Sequence, residues 1–140
     1  MTLTEIFQKY VDKAGTEELV MDAKRNSAEV LNYLNANVDS EISSTIYLAL
    51  IGTFLGSDGS VDKAEYAFSQ VVFGFGGTYD EFFEMVNAAS TKEMVTTIDN
   101  VIDGSPAEVK AAFVALGCAF CASNGTMTPD EQRLLAKYLD

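Results

Sequence analysis

The sequence has no histidine and no tryptophan, and its 140 residues include two cysteines and two prolines. Without imidazole the chain cannot build a Ser-His-Asp triad, a Cys-His pair or a histidine-bound metal site. Catalysis would have to use carboxylates, thiols, lysines or tyrosines. No carboxylate pair has a spacing that is typical of a general acid and base. We therefore expect a protein that is not an enzyme, with a small carboxylate-based hydrolase as a remote alternative.

Basic residues are scarce, because 9 lysines and arginines face 21 acids and give a formal charge of -12. This charge repels DNA, RNA and anionic lipid surfaces, so we expect no nucleic-acid partner. It suits a basic protein partner or a cation, and it also suits a surface that only keeps the protein in solution. The segment 80–108 is the most acidic, with seven acids and Lys92 as its one base.

Long hydrophobic runs are also missing. The longest mostly apolar stretches, 46–56 and 111–122, are shorter than the roughly 20 residues that a membrane-spanning helix needs. We therefore expect no direct insertion into a membrane. The first ten residues, MTLTEIFQKY, lack the basic and apolar regions of a secretory signal, so we expect a cytoplasmic protein.

Apolar residues recur with helical spacing along most of the chain, and no alternating strand pattern appears. The sequence therefore predicts a single all-α domain over residues 1–140, a compact bundle of about seven to eight helices. The predicted helices span 3–14, 16–35, 43–56, 62–73, a short segment from 78, 90–103, 105–122 and 128–139.

A glycine-rich link at 74–77 lies near the middle of the chain. Glycine-rich segments can bind phosphate, but such a loop follows a strand and continues into Gly-Lys-Ser/Thr. Neither feature is present here. We therefore expect the link to end a helix.

Helix starts are predicted from capping residues. Ser-x-x-Glu pairs at 90–93 and 105–108 have the spacing of capping boxes, and Pro106 would be the first helical residue of the second. Threonines at other predicted starts can accept a hydrogen bond from a backbone N–H of the first turn. These are Thr16, Thr78 and Thr128.

Two segments repeat each other at a constant offset of 66 residues. Each contains an apolar helix, a Ser-Asp/Asn-Gly-Ser/Thr turn and a second helix, so duplication of a helical hairpin is the simplest explanation. The hairpins lie near 43–73 and 106–139. The matched pairs include Leu50 and Leu116, Phe54 and Phe120, Ser57 and Ser123, Gly59 and Gly125, and Glu65 and Glu131.

The two turns, FLGSDGSVDKAE and FCASNGTMTPDE, resemble the paired Asp-Gly helix-loop-helix segments of tellurite-resistance TerB-like proteins. The resemblance covers both hairpins and their spacing. It implies a non-enzymatic bacterial helical domain that is linked to tellurite and other stress responses, with a metal-binding acidic surface and roles in protein complexes. Asn124 stands in the second turn where the pattern has an aspartate, which argues against a pair of metal sites.

The first turn is the candidate metal site, with Asp58, Asp62 and Glu65 as oxygen ligands for a divalent cation. Its aspartate, glycine and glutamate match the end of an EF-hand calcium loop. The beginning of such a loop is missing, because Phe54 and Gly56 stand where the first ligands belong. A purely structural interpretation stays open for both turns, in which the glycines, Gly59 and Gly125, permit a left-handed turn. In it, Asp62 and Glu65 cap one following helix, and Thr128 and Glu131 cap the other.

Cys118 and Cys121 form a Cys-x-x-Cys motif near the end of an apolar helix. A redox pair belongs at a helix start, and a zinc site needs four ligands. The repeat has Gly52 and Leu55 at the matching positions. The sequence therefore predicts two free thiols in the core.

Two functions follow from these observations. The first is a TerB-like acidic module that binds a protein partner, a divalent metal, or both. The alternative is a calcium-type cation sensor, in which occupancy of the 58–65 turn shifts the packing of the helices. In both cases the only cofactor that we expect is a divalent metal ion.

Overall fold

A computed structural model describes residues 2–14, 16–38, 46–55, 63–74, 76–125, 127 and 129–139. Every regular element in these ranges is an α-helix, which confirms the predicted all-α bundle of seven to eight helices. The eight helices are α1 (Leu3–Asp12), α2 (Glu17–Asn37), α3 (Ile46–Leu55), α4 (Lys63–Phe73), α5 (Tyr79–Ala89), α6 (Lys92–Asp103), α7 (Ala107–Asn124) and α8 (Pro129–Ala136). None of them is both long enough and apolar enough to cross a bilayer.

Threonine caps begin four of the helices. Thr16 accepts a hydrogen bond from the Leu19 N–H at 3.3 Å, and Thr78 accepts one from the Glu81 N–H at 3.2 Å. Both caps were predicted, and both are confirmed. Thr2, at the start of α1, forms a reciprocal capping box that the sequence analysis did not predict. Thr128 lies outside the described residues.

The two predicted serine caps are wrong. The cap of α6 is Thr91, which accepts from the Met94 N–H at 3.1 Å. Ser90 instead ends α5. The cap position of α7 is Pro106, and Ser105 turns back to donate its hydroxyl to the Ile102 carbonyl at 2.6 Å. In both loops the residue after the serine, Thr91 or Pro106, has the extended backbone that begins the next helix, and the serine stays with the preceding one.

Helix α7 lies at the centre of the core, where it contacts α1, α2, α4, α6 and α8. Its apolar residues are buried on several sides of the helix, including Phe113, Leu116 and Phe120, which are fully buried. Helix α3 contacts α2, α5 and α6. The two nearly all-apolar segments of the sequence are thus the two internal helices, as their hydrophobicity predicts.

The repeated hairpins meet in the core through matching residues. The rings of Phe54 and Phe120 stack with centroids 5.5 Å apart. Gly117 permits this approach, because an added Cβ would lie 2.9 Å from Phe54 and 2.5 Å from Leu135. On the other side, Phe68 meets the Phe120 ring edge to face at 5.2 Å. One aromatic cluster therefore joins both hairpins.

The glycine-rich link ends α4. Gly74 adopts a left-handed conformation with φ of 73°, and its N–H donates to the Gln70 carbonyl. The link is held to the helix before it, because the Tyr66 hydroxyl donates to the Gly77 carbonyl at 2.5 Å. Phe75, within the link, lies outside the described residues. The contacts of Gly74 confirm the prediction that the link terminates a helix.

Candidate functional site

The candidate metal ligands of the first turn lie at the edge of what the structure describes. Asp58 and Asp62 are outside the described residues, and Glu65 is described only as part of the backbone of α4. Their role therefore stays a prediction. Within the described residues no group of three or more acidic or cysteine side chains is arranged to hold a metal ion.

The second turn shows how the repeated hairpin is built. Helix α7 ends at Gly125, whose φ of 81° is in the left-handed region. The Gly125 N–H donates to the carbonyls of Cys121 and Ala122 at 3.1 and 3.2 Å. The Ser123 hydroxyl donates to the Phe120 carbonyl at 2.6 Å. Gly125 therefore ends the helix in a left-handed conformation, as the structural interpretation of the turns predicts. The Ser123 bond adds a contact that was not predicted.

Glu131 accepts a hydrogen bond from a thiol near the end of α7. The Cys121 Sγ donates a hydrogen bond to Glu131 Oε2 at 2.9 Å. Glu131 matches Glu65 of the first turn at the 66-residue offset, and Cys121 matches Leu55. A leucine has no hydrogen-bond donor, so the first hairpin cannot make this contact. Residue spacing does not reveal this bond, although Cys121 and Glu131 both belong to motifs of the sequence.

The two cysteines are free thiols buried in the core, which confirms the prediction. Burial raises the pKa of the Cys118 thiol to about 12. A thiol with such a pKa is protonated at neutral pH and is a poor nucleophile. In this motif Cys118 therefore packs in the core, and Cys121 forms the hydrogen bond to Glu131 near the end of α7.

The carboxylates of the acidic segment 80–108 lie mostly at the surface, whereas its apolar residues, such as Phe82 and Ile98, are buried. Most of its carboxylates belong to exposed residues, and Asp99 is the partly buried one. The exposed acids are Asp80, Glu81, Glu84, Glu93, Asp103 and Glu108. We use the name acidic face for these six residues, which lie on α5, on α6 and at the start of α7. Glu81 also bonds to Thr78 at the start of α5, where a negative charge is favourable.

Asp99 has partners that sequence spacing does not show. Lys137 Nζ lies 2.7 Å from Asp99 Oδ2, and the Tyr138 hydroxyl donates to both the Asp99 carboxylate and its backbone carbonyl. Burial raises the pKa of Asp99, but the hydrogen bonds from Lys137 and Tyr138 outweigh it and hold the pKa below its usual range. Burial and the bond to Asp99 raise the pKa of Tyr138.

This contact depends on where α8 ends. The sequence predicted a helix to residue 139, but α8 ends at Ala136. The next residues form a tighter turn, in which the Tyr138 N–H donates to the Leu135 carbonyl at 3.2 Å. The tighter turn brings Lys137 and Tyr138 to α6.

Comparison with models of known protein families, with curated proteins and with solved structures finds no match to this chain. The resemblance to TerB-like proteins therefore stays a prediction from the two turns.

Proposed function

We propose that this chain is a non-enzymatic, TerB-like acidic helical module of the bacterial cytoplasm. It binds a protein partner through the acidic face and binds a divalent cation weakly at the first turn. An all-helical fold, a formal charge of -12 and an outward-facing set of carboxylates support this proposal. A role in tellurite and stress responses follows from the resemblance of the turns.

The Cys121–Glu131 hydrogen bond is the observation that favours the first turn, rather than the second, as the cation site. In the second turn the carboxylate at the candidate ligand position already accepts a bond from a thiol. The other two candidate positions there are Asn124 and Thr128, which bring no charge. The first turn keeps three carboxylates, and Leu55 offers none of them a donor. Hard divalent cations favour sites with more carboxylate charge, so the first turn is the better site.

The acidic face supports a basic partner. Exposed carboxylates on α5 and α6 attract a lysine- or arginine-rich surface, and this attraction weakens as salt screens it. Replacing Glu81 and Glu84 together by glutamine should reduce capture of such a partner from a native extract. The matched control is Glu5→Gln with Glu29→Gln, which removes the same charge from exposed positions on α1 and α2. Equal capture by both double variants would contradict the assignment to the acidic face.

Thermal unfolding with calcium, magnesium, manganese or zinc tests the cation site. A cation at 100 times its dissociation constant stabilises the folded state by about 2.7 kcal/mol. For a chain of this size the midpoint should rise by about 10 °C. Asp58→Ala should remove the rise, whereas the matched change Asn124→Ala in the second turn should leave it. No rise with any of the four cations, or a rise that only Asn124→Ala abolishes, would contradict the site.

A growth assay tests the link to stress. Expression of the chain in a tellurite-sensitive bacterial host should improve growth on tellurite, and Asp58→Ala should lose this effect. Equal growth with and without the chain would argue against the role that the resemblance implies.

A further inference from the structure

The two most exposed large apolar side chains of the described residues lie together. Met21 on α2 is 67% exposed and Val71 on α4 is 52% exposed. Both line one groove between these helices, with a volume of about 380 Å³. The groove is lined by Thr16, Glu17, Val20, Met21, Lys24 and Val71.

The charges at this groove are symmetrically placed. Glu17 and Lys24 are exposed and lie on the same face of α2, two turns apart, with Val20 and Met21 midway between them. Seven residues of helix separate the two charges by about 10 Å along the axis. Among the described residues neither of them forms an ion pair. An α2 helix laid antiparallel on this face would set each glutamate opposite a lysine.

This face is also locally neutral in a strongly acidic molecule. The groove lining carries one acid, Glu17, and one base, Lys24, while the whole chain carries -12. Lys13 pairs with Glu18 at 2.7 Å, and Arg25 pairs with Asp22. Two copies of an acidic chain repel each other least where their surfaces are neutral. The α2–α4 face therefore suits a second copy of the chain better than the acidic face does.

We propose that the chain forms a two-fold symmetric dimer through the α2–α4 face. In this dimer the two α2 helices run antiparallel, Glu17 of each copy pairs with Lys24 of the other, and Met21 of each copy enters the other's groove beside Val71. A two-fold interface needs a surface that is complementary to itself, and a glutamate and a lysine placed evenly about an apolar centre meet this requirement. The dimer does not depend on a cation, so its test and that of the first turn can fail separately.

Sedimentation at protein concentrations from about 1 μM to about 1 mM tests the dimer, because weak interfaces assemble in this range. The wild-type chain should pass from monomer to dimer. Glu17→Lys alone and Lys24→Glu alone each place like charges opposite one another at two symmetric contacts. We expect each variant to weaken the dimer by about tenfold or more. The control is Lys92→Glu on α6, which changes the net charge by as much as Lys24→Glu does but lies away from the groove. It should leave the dimer unchanged.

Recombining the charges tests the antiparallel register. An equimolar mixture of Glu17→Lys and Lys24→Glu should form a heterodimer, since each lysine then faces a glutamate. The double variant Glu17→Lys/Lys24→Glu should recover the wild-type dimer, which also shows that the substitutions do not prevent folding. A wild-type chain that stays monomeric throughout would overturn the proposal. A dimer that responds to these variants no more than to Lys92→Glu would overturn it as well.

Discussion

At the scale of single residues, Asp99 joins α6 to the turn that follows α8. It accepts hydrogen bonds from Lys137 and Tyr138, which lie 38 and 39 residues further along the chain. The Tyr138 ring also packs edge to face on Phe113, 5.3 Å away. Asp99 lies in the acidic segment 80–108, but its position along the chain does not reveal its partners. Contacts across such a separation depend on the angles between helices, which residue spacing does not encode.

Asp99→Asn should lower the free energy of unfolding by about 1 to 2 kcal/mol at pH 7, because it removes the charge that Lys137 and Tyr138 stabilise. The folded state lowers the pKa of Asp99. Its contribution is therefore complete above the ordinary aspartate pKa of about 4 and is lost as the pH falls through the lowered value. Urea unfolding at pH 7 and pH 3 should show the difference from wild type shrinking at low pH.

Two further variants distinguish the Asp99–Lys137–Tyr138 network from the effect of removing any one negative charge. Tyr138→Phe keeps the ring on Phe113 and removes only the hydroxyl, so it should also be destabilising at pH 7. Glu84→Gln removes an exposed charge from the acidic face and should change stability little. An Asp99→Asn variant as stable as Glu84→Gln at pH 7 would contradict the assigned role of the network.

At Gly52 the contact between two helices depends on the absence of a Cβ atom. An added Cβ at this position in α3 would lie 1.6 Å from the Ser90 Oγ and 2.6 Å from its Cβ. The Ser90 hydroxyl is buried and has no hydrogen-bond partner among the described residues. The close approach of α3 to the end of α5 therefore requires a glycine at 52 and a small residue at 90.

Gly52→Ala should destabilise the protein by about 1 to 3 kcal/mol through overpacking, although alanine is normally favourable in a helix. Ser90→Gly in the same chain should recover much of this loss. Gly104→Ala serves as the control, because an added Cβ there meets nothing nearer than 3.8 Å. Chemical unfolding would measure all three. Equal effects of Gly52→Ala and Gly104→Ala would show that the helices do not approach each other as described.

At the scale of helices, the sequence predicts the elements well and their starts less well. The 3.6-residue spacing of apolar side chains is strong in α1 and α6, and both helices were predicted. Ser90 and Thr91 are adjacent residues that can each cap a helix, so composition alone does not choose between them. The backbone decides, because Thr91 is extended and presents its hydroxyl to the first turn of α6.

Thr91→Ala should therefore cost about 1 kcal/mol of stability, the usual effect of losing a threonine cap. Thr96→Ala is the matched control, since Thr96 is an exposed residue inside the same helix. It should be neutral or slightly stabilising, because alanine is the better helix former. Thermal unfolding of the two variants gives the comparison. A loss at Ser90→Ala with none at Thr91→Ala would instead support the capping box that the sequence predicts.

At the scale of the whole molecule, the repeated hairpin links the fold to the proposed function. The stacked rings of Phe54 and Phe120 show that the two copies share one core. Their turns differ in charge. The second copy also has the Cys121–Glu131 hydrogen bond, which the first copy cannot form because Leu55 stands in place of the cysteine. The repeat itself was visible in the sequence because both turns keep the same residue types. The thiol–carboxylate bond was not, since it depends on the angle between α7 and α8.

In the proposed function the two turns of the repeat have different roles, with the cation at the first turn alone. Backbone amide NMR during a titration with calcium or magnesium distinguishes them, because Gly59 and Gly125 report separately on the two turns. We expect the Gly59 resonance to shift with cation concentration while the Gly125 resonance stays in place, and we expect Asp58→Ala to abolish the shift. A Gly125 resonance that moves at lower cation concentration than that of Gly59, or two resonances that never move, would contradict the proposed cation site.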